Sequence, residues 1–333
     1  LPLSRNLASL LLMNPFLKFR GMLIALFFTW LVTSGNAQSP PEVYRLVDGT
    51  TGKEVKWKKL LKATKEVDVV LFGEVHDHPV IHWLELQLLQ DLHATSENGL
   101  ILAMEMLEAD QQGILDAYLA RGTGYEAQYD QLRLWGNYET DYAPLVAYAN
   151  RVDIPVVASN IPREYASRVY QGGQNAIANI TSEERSWMAP MPIDIDFSLS
   201  QYQAMAQMLQ SHAAHGHGRT ADVPPPAPDS AKVANFISAQ AVKDATMAWN
   251  TLQAISSEGT RQAFHVHGRF HSDYQQGIIW YLRHYRPEVT TLSISTVVVE
   301  DPAEGLPEDE MGVADFVLLI PDQMARSYDA MGQ

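Results

Sequence analysis

The chain has 333 residues, 46% of them hydrophobic and 9% aromatic, which is core-forming material for one large domain or two closely joined ones and excludes a disordered chain. Lys and Arg total 24 against 39 Asp and Glu, a formal net charge of −15, so the surface field repels phosphate backbones and argues against nucleic acid as a partner. There are no cysteines, which removes disulfides, thiolate zinc sites, cysteine nucleophiles, iron–sulfur clusters, haem attachment through a CxxCH sequence and lipid attachment at a lipobox.

The N-terminal segment carries two basic residues, Lys18 and Arg20, then an apolar stretch from Met22 to Val32, then small residues at Gly35 and Ala37. That order predicts a secretory signal cut after Ala37. A transmembrane anchor is the rival, but the apolar stretch falls well short of the ~20 residues that cross a bilayer. Residues 1–37 hold three basic and no acidic side chains, so the mature chain carries 21 basic against 39 acidic groups, a formal charge of −18. An exported protein of the periplasm or cell envelope, not anchored through cysteine, is expected.

In the mature chain, residues 38–333, Val67 to Phe72 (VDVVLF) is a valine-rich run that suits a strand covered on both faces. HPVIHWLELQLLQDL follows, with Pro79 in a first helical turn and apolar residues at helical spacing. Leu100 to Met104 repeats the buried-strand pattern and runs into Glu105, and Ile154 to Ala158 does so again before Ser159 and Asn160. Gln111 to Arg121 and Tyr142 to Arg151 read as helices. Gln262 to Val266 predicts another strand, then a helix from about Ser272 to His284, a strand within Val289 to Val299 and a last strand at Asp315 to Ile320. From about 166 to 252 there is no strand signal, only helical segments interrupted by HGHGRTADVPPPAPDS, which predicts a helical cap over the sheet. The expectation is an α/β fold: one domain with a mainly parallel sheet, covered by helices on both faces.

Ligands of open parallel sheets bind outside the carboxyl ends of the strands. There the sequence places Glu74 and His76 after the first strand, Glu105 at the second, Asn160 after the third, and Arg269 and His271 after the fourth. Two of these units share a pattern, GEVH at 73–76 and GRFH at 268–271, in which glycine lets the chain leave the strand at an angle that a side chain would forbid. A polar residue just past a strand often only caps the next helix. Recurrence at four strand ends exceeds what capping requires. Imidazole with carboxylate binds zinc, manganese or iron and equally serves as a general base, so Glu74, His76, Glu105 and His271 are candidate metal ligands or catalytic groups. Asn160 and Arg269 are candidates for holding an oxyanion or anionic substrate. His82, beside Trp83 on an apolar helix, reads as a packed histidine.

A second cluster, His212, His215 and His217 with Met205 and Met208 upstream, suits metal or haem contact or, more blandly, a solvated helix end. Tyr138 and Tyr142 of LWGNYETDYAPL read as core aromatics, although a tyrosinate also holds haem iron.

The segments VVLFGEVHDHPVIHWLELQLL, LAMEMLE, LVAYANRVDIPVVASNIPRE, AQAVKDATMAW and HVHGRFHSDYQQGI together resemble the ChaN family, in the larger group that includes erythromycin-esterase-like and TIKI-type proteins. The resemblance implies an α/β core with a helical cap, haem binding linked to iron uptake or storage at the bacterial envelope, contact with envelope uptake components, and a homodimer sharing haem. Tyr138, Tyr142 and His215 are its candidate haem ligands here. The wider group implies instead a hydrolase in which Glu74, His76, Glu105 and His271 activate water, with or without a divalent metal. A third reading keeps those four only as mutually paired groups that stabilise the strand ends.

Overall fold

Each apolar run ending in a polar residue enters the same sheet. The computed structural model describes residues 43–96, 99–120, 125–214, 230–255 and 262–328. Its seven strands are β1 (Arg45–Asp48), β2 (Val69–Glu74), β3 (Leu100–Glu108), β4 (Val156–Asn160), β5 (Gln262–Gly268), β6 (Thr291–Val299) and β7 (Phe316–Pro321). They lie in the order β1-β7-β6-β2-β5-β3-β4, parallel throughout except that β1 is antiparallel to β7. The described helices are α1 (Trp57–Thr64), α2 (Pro79–Thr95), α3 (Gln112–Leu119), α4 (Tyr125–Tyr129), α5 (Ala143–Arg151), α6 (Arg163–Gly172), α7 (Ser182–Ser186), α8 (Ser200–Ala214), α9 (Ser230–Ala254) and α10 (Ile278–Tyr285). This is the expected α/β fold.

Strand periodicity divides the core. Side chains alternate across a sheet, so Val70 and Phe72 of β2 join a cluster with α2 and α5, while Val69 and Leu71 join one with α6, α9 and α10. The sheet is therefore buried on both faces, which is why its strands read as continuous apolar runs rather than as alternating ones.

Three details depart from expectation. Strand β3 continues to Glu108, with a register shift against β4 between Met104 and Glu108, so Glu105 lies inside a strand. Helix α10 starts at Ile278 rather than near Ser272, because Tyr274, Gln275 and Gly277 all have positive φ and the chain passes through 3-10 turns first. The middle of the chain holds no strand among its described residues, and its longest helix, α9, is part of the core. Its Ala241, Val242, Ala245, Met247 and Ala248 are fully buried in the second core, and it packs on β4, α6 and α10. Strand β1 and helix α1 add to the predicted elements, and Trp57, Leu60, Leu61 and Thr64 of α1 recur at helical spacing. Residues 1–37, His215 and His217 lie outside the described residues. No described helix is long and apolar enough to cross a membrane.

Phe264 of β5 is fully buried and meets Phe72 of β2 edge to face, centroids 6.2 Å apart. Phe264→Ala is expected to lower stability by about 3–5 kcal/mol, read as a fall in the urea midpoint.

Candidate functional site

The period of two that sorts the core also sorts the acidic residues. Glu74 shares its face of β2 with Phe72 and Val70 and so points toward α2. Glu105 shares its face of β3 with Ile101 and Ala103 and points toward α9. Between the two strands runs β5, with Gly268 in register with Glu74.

On the α2 face, Glu74 is almost wholly buried. Its Oε1 accepts from His76 Nδ1 at 2.5 Å and from the Tyr142 hydroxyl at 2.7 Å. Its Oε2 lies 3.3 Å from His82 Nδ1, which is also 3.1 Å from Glu85 Oε2. His82 Nε2 sits 3.2 Å from the His76 carbonyl, and Asn137 donates to that same carbonyl at 2.6 Å and to Asp141 at 2.7 Å. Burial by itself would raise the Glu74 pKa, but the hydrogen bond from His76 and the close His82 imidazole outweigh it and hold the carboxyl well below the usual range. Burial opposes a charge on His82, yet Glu85 and Glu74 push its pKa up to about 11. Burial and the neighbouring Glu74 charge drive Glu85 the other way, well above an ordinary carboxyl.

On the α9 face, His271 Nδ1 donates to Asp244 Oδ1 at 2.5 Å, and Tyr202 of α8 donates to Asp244 Oδ2 at 2.7 Å. The other ring nitrogen of His271, Nε2, is 3.4 Å from Glu105 Oε1, while Glu105 Oε2 accepts from the Gly268 backbone N–H at 2.8 Å. Despite desolvation, Glu105 and Asp244 raise the His271 pKa to about 10. Glu105 is in turn held far below its usual value by His271, against the effect of its burial. At neutral pH the couple is an ion pair.

The two couples meet over Gly268. A Cβ built there would come within 2.6 Å of His76 Nε2, with Glu105 Oε2 in ordinary contact at 3.6 Å, so a side chain at this position would force the His76 ring to move. The four residues expected to act together are thus neighbours, arranged as two carboxylate–imidazole couples from opposite faces of the sheet rather than as one ligand ring. His76 is the open member, with 42% of its side chain exposed. It lines a cleft of about 540 Å³ with Val75, Leu134, Trp135, Arg163 and Tyr328, and its ring meets Trp135 edge to face at 4.9 Å. Leu134, Trp135 and Arg163 also line an adjoining cleft of about 670 Å³.

Other sequence candidates sit elsewhere. Tyr138 and Tyr142 are buried, and burial together with the Glu74 charge raises the Tyr142 pKa, so neither presents an open tyrosinate to a ligand. Arg269 is committed to Asp273 at 2.7 Å and to both carboxylate oxygens of Glu310. Asn160 donates its amide to the Glu105 carbonyl at 3.0 Å, leaving as its unpartnered end an acceptor, Oδ1, which does not stabilise an oxyanion. His82 is packed, as its apolar helix predicts, but in a polar network. Sequence reading assigned no role to Asp244, Tyr202, Glu85 or Arg163. Asp244 was the most detectable of these, since it stands in the distinctive KDATMAW segment.

His271 carries a folded-state pKa above its ordinary 6.5, so its ion pairs stabilise the fold fully below that value and lose their contribution as pH rises through about 10. The melting-temperature advantage of the wild type over His271→Asn is therefore expected to be full at pH 6 and to vanish above pH 10; a difference independent of pH would contradict the charged pair.

Against proteins of known structure, the chain is similar to ChaN of Campylobacter jejuni, in a structure described as cofacial haem binding, with a TM-score of 0.62 and 15% identity over 84% of this chain and 99% of that one. Weaker likenesses are to a Bacillus cereus protein, TM-score 0.45 and 12% identity over 84% of this chain and 94% of that one, and to the erythromycin esterase EreC in its open conformation, TM-score 0.41 and 10% identity over 83% of each. No curated protein matches the sequence. Residues 60–282, which span the strand ends and both carboxylate–imidazole couples, match the model of the haem-binding uptake family ChaN of the Tiki superfamily, and the chain belongs to that family.

Proposed function

We propose that this protein is an exported haem-binding protein serving haem or iron uptake or storage at the bacterial cell envelope, and that haem meets the chain in the cleft beside His76. The observation that carries this reading is the family match over residues 60–282. The residues at the cleft fit such a ligand. His76 is a half-exposed imidazole whose Nδ1 is held by Glu74, which leaves Nε2 as the nitrogen able to ligate iron. Val75, Leu134 and Trp135 supply apolar wall. Arg163, exposed and without an ion pair among the described residues, supplies a cation for a propionate. Haem, when bound, would supply an iron that the His76 imidazole could ligate. Export through residues 1–37, a homodimer sharing haem, and transfer to envelope uptake components belong to the same proposal.

Haemin added to residues 38–333 is expected to give a saturable Soret shift. His76→Ala should weaken it by about tenfold or more, and Tyr142→Phe should leave a spectrum of histidine ligation. Absence of a saturable shift would remove the haem reading.

A second reading is favoured by one observation, the convergence of two carboxylate–imidazole couples on Gly268. In this hydrolase, with or without a divalent metal, His76 takes the proton of the water that attacks the scissile centre, and His271, cationic at neutral pH, gives its Nε2 proton to the leaving group as its bond breaks. His76→Ala should then abolish hydrolysis in a panel of nitrophenyl esters, anilides and phosphoesters. Full activity in that variant rules the catalytic role out.

A further inference from the structure

Behind His76, Glu74, His82 and Glu85 form a buried group of two carboxylates and an imidazole. Each offers one ligand atom, and these atoms all lie within 4.8 Å of one another. Their local origin is simple. His82 and Glu85 are three residues apart on α2, which puts imidazole and carboxylate side by side on the helix face that covers the end of β2, where Glu74 points back at them. Carboxylate metal centres in helix bundles use an i, i+3 glutamate–histidine pair in the opposite order, Glu-x-x-His.

Two atoms in this group lack hydrogen bonds. Glu74 Oε2 and Glu85 Oε1 are buried without a donor, although both residues are essentially inaccessible to water. A buried carboxylate oxygen without a partner is expensive. A divalent cation would supply the missing partner to both oxygens. It would replace the proton on His82 Nδ1 and the proton on Glu85, leaving the total charge unchanged, with one nitrogen and two carboxylates as its protein ligands. Three ligands of this kind suit zinc, manganese or ferrous iron.

The surrounding shell is already oriented for such an ion. The second nitrogen of His82 is held by the His76 carbonyl at 3.2 Å, with Asp141 Oδ2 at 3.6 Å, which sets the tautomer that presents Nδ1 to a metal. The other oxygen of Glu74 is fixed by Tyr142 and His76. Asp141 is itself held by Asn137 and by Ser327.

We propose that Glu74, His82 and Glu85 bind one divalent transition-metal ion in the interior behind His76, a site separate from the Glu105–His271 couple. It depends on neither functional reading above and is tested on haem-free protein. After dialysis against a chelator, the protein is given Zn²⁺ or Mn²⁺, desalted, and its metal content measured. About one ion per chain is expected in the wild type and in Glu105→Gln, with affinity lowered by about tenfold or more in Glu85→Gln and His82→Ala. Loss of metal in Glu105→Gln but not in Glu85→Gln, or no stoichiometric metal in the wild type, would overturn the proposal. Should the interior variants fail to fold, Co²⁺ titration of the wild type decides. One equivalent with visible d–d bands of nitrogen and oxygen coordination supports the site, and spectral silence refutes it.

Discussion

The site hangs on one buried carboxylate. Glu74 ends β2, which lies between β6 and β5, and its position on the pleat sends its side chain into the interior instead of into solvent. A carboxylate there is tolerated only if partners replace its water, and removal of one partner from such a pair typically costs about 3–5 kcal/mol. Its first oxygen takes His76 and Tyr142, and its second faces His82. The π-helical turn at Tyr138–Tyr142 belongs to this arrangement, because it delivers the Tyr142 hydroxyl and brings Asp141 beside Asn137.

Glu105 poses the same problem on the opposite face and solves it differently. Its partners are a backbone N–H and a histidine that is itself tied to a second buried carboxylate, Asp244, on the long helix α9. Since β5 separates the two solutions, they meet over Gly268, where His76 Nε2 and Glu105 Oε2 approach each other. A side chain at that position would displace His76, so the glycine is what joins two otherwise separate networks into one site.

His76 is claimed by both functional readings, and a single imidazole cannot serve both at once. As an iron ligand it must present a lone pair at Nε2; as a base it must leave that lone pair for the proton of water. Glu74 anchors the ring for either use by holding Nδ1. What separates the readings lies around the ring: the apolar wall of Leu134 and Trp135 with the cation Arg163 suits an amphipathic anion, whereas the charged His271 on the other side suits proton transfer. Arg163, without an ion pair among the described residues, is a cation beside the open imidazole that favours carboxylate-bearing ligands.

The sequence by itself determined the sheet, its mostly parallel sense and the strand ends that carry Glu74, His76, Glu105 and His271, because two-sided burial writes apolar runs and chain reversal after a strand selects glycine followed by polar residues. It also determined that thiol chemistry is absent. Only the tertiary structure decided how those four residues pair, since the pairing depends on which face of its strand each acid occupies and on which helix covers that face. The same holds for Asp244 and Arg163, whose neighbours are remote in sequence or come from a different element. It holds as well for Tyr142, Arg269 and Asn160, whose residue types permit a ligand role that their buried hydrogen bonds and ion pairs have already taken up. Periodicity records whether a side chain is buried, but the identity of its partner is set by the packing of elements that the pattern along the chain does not encode.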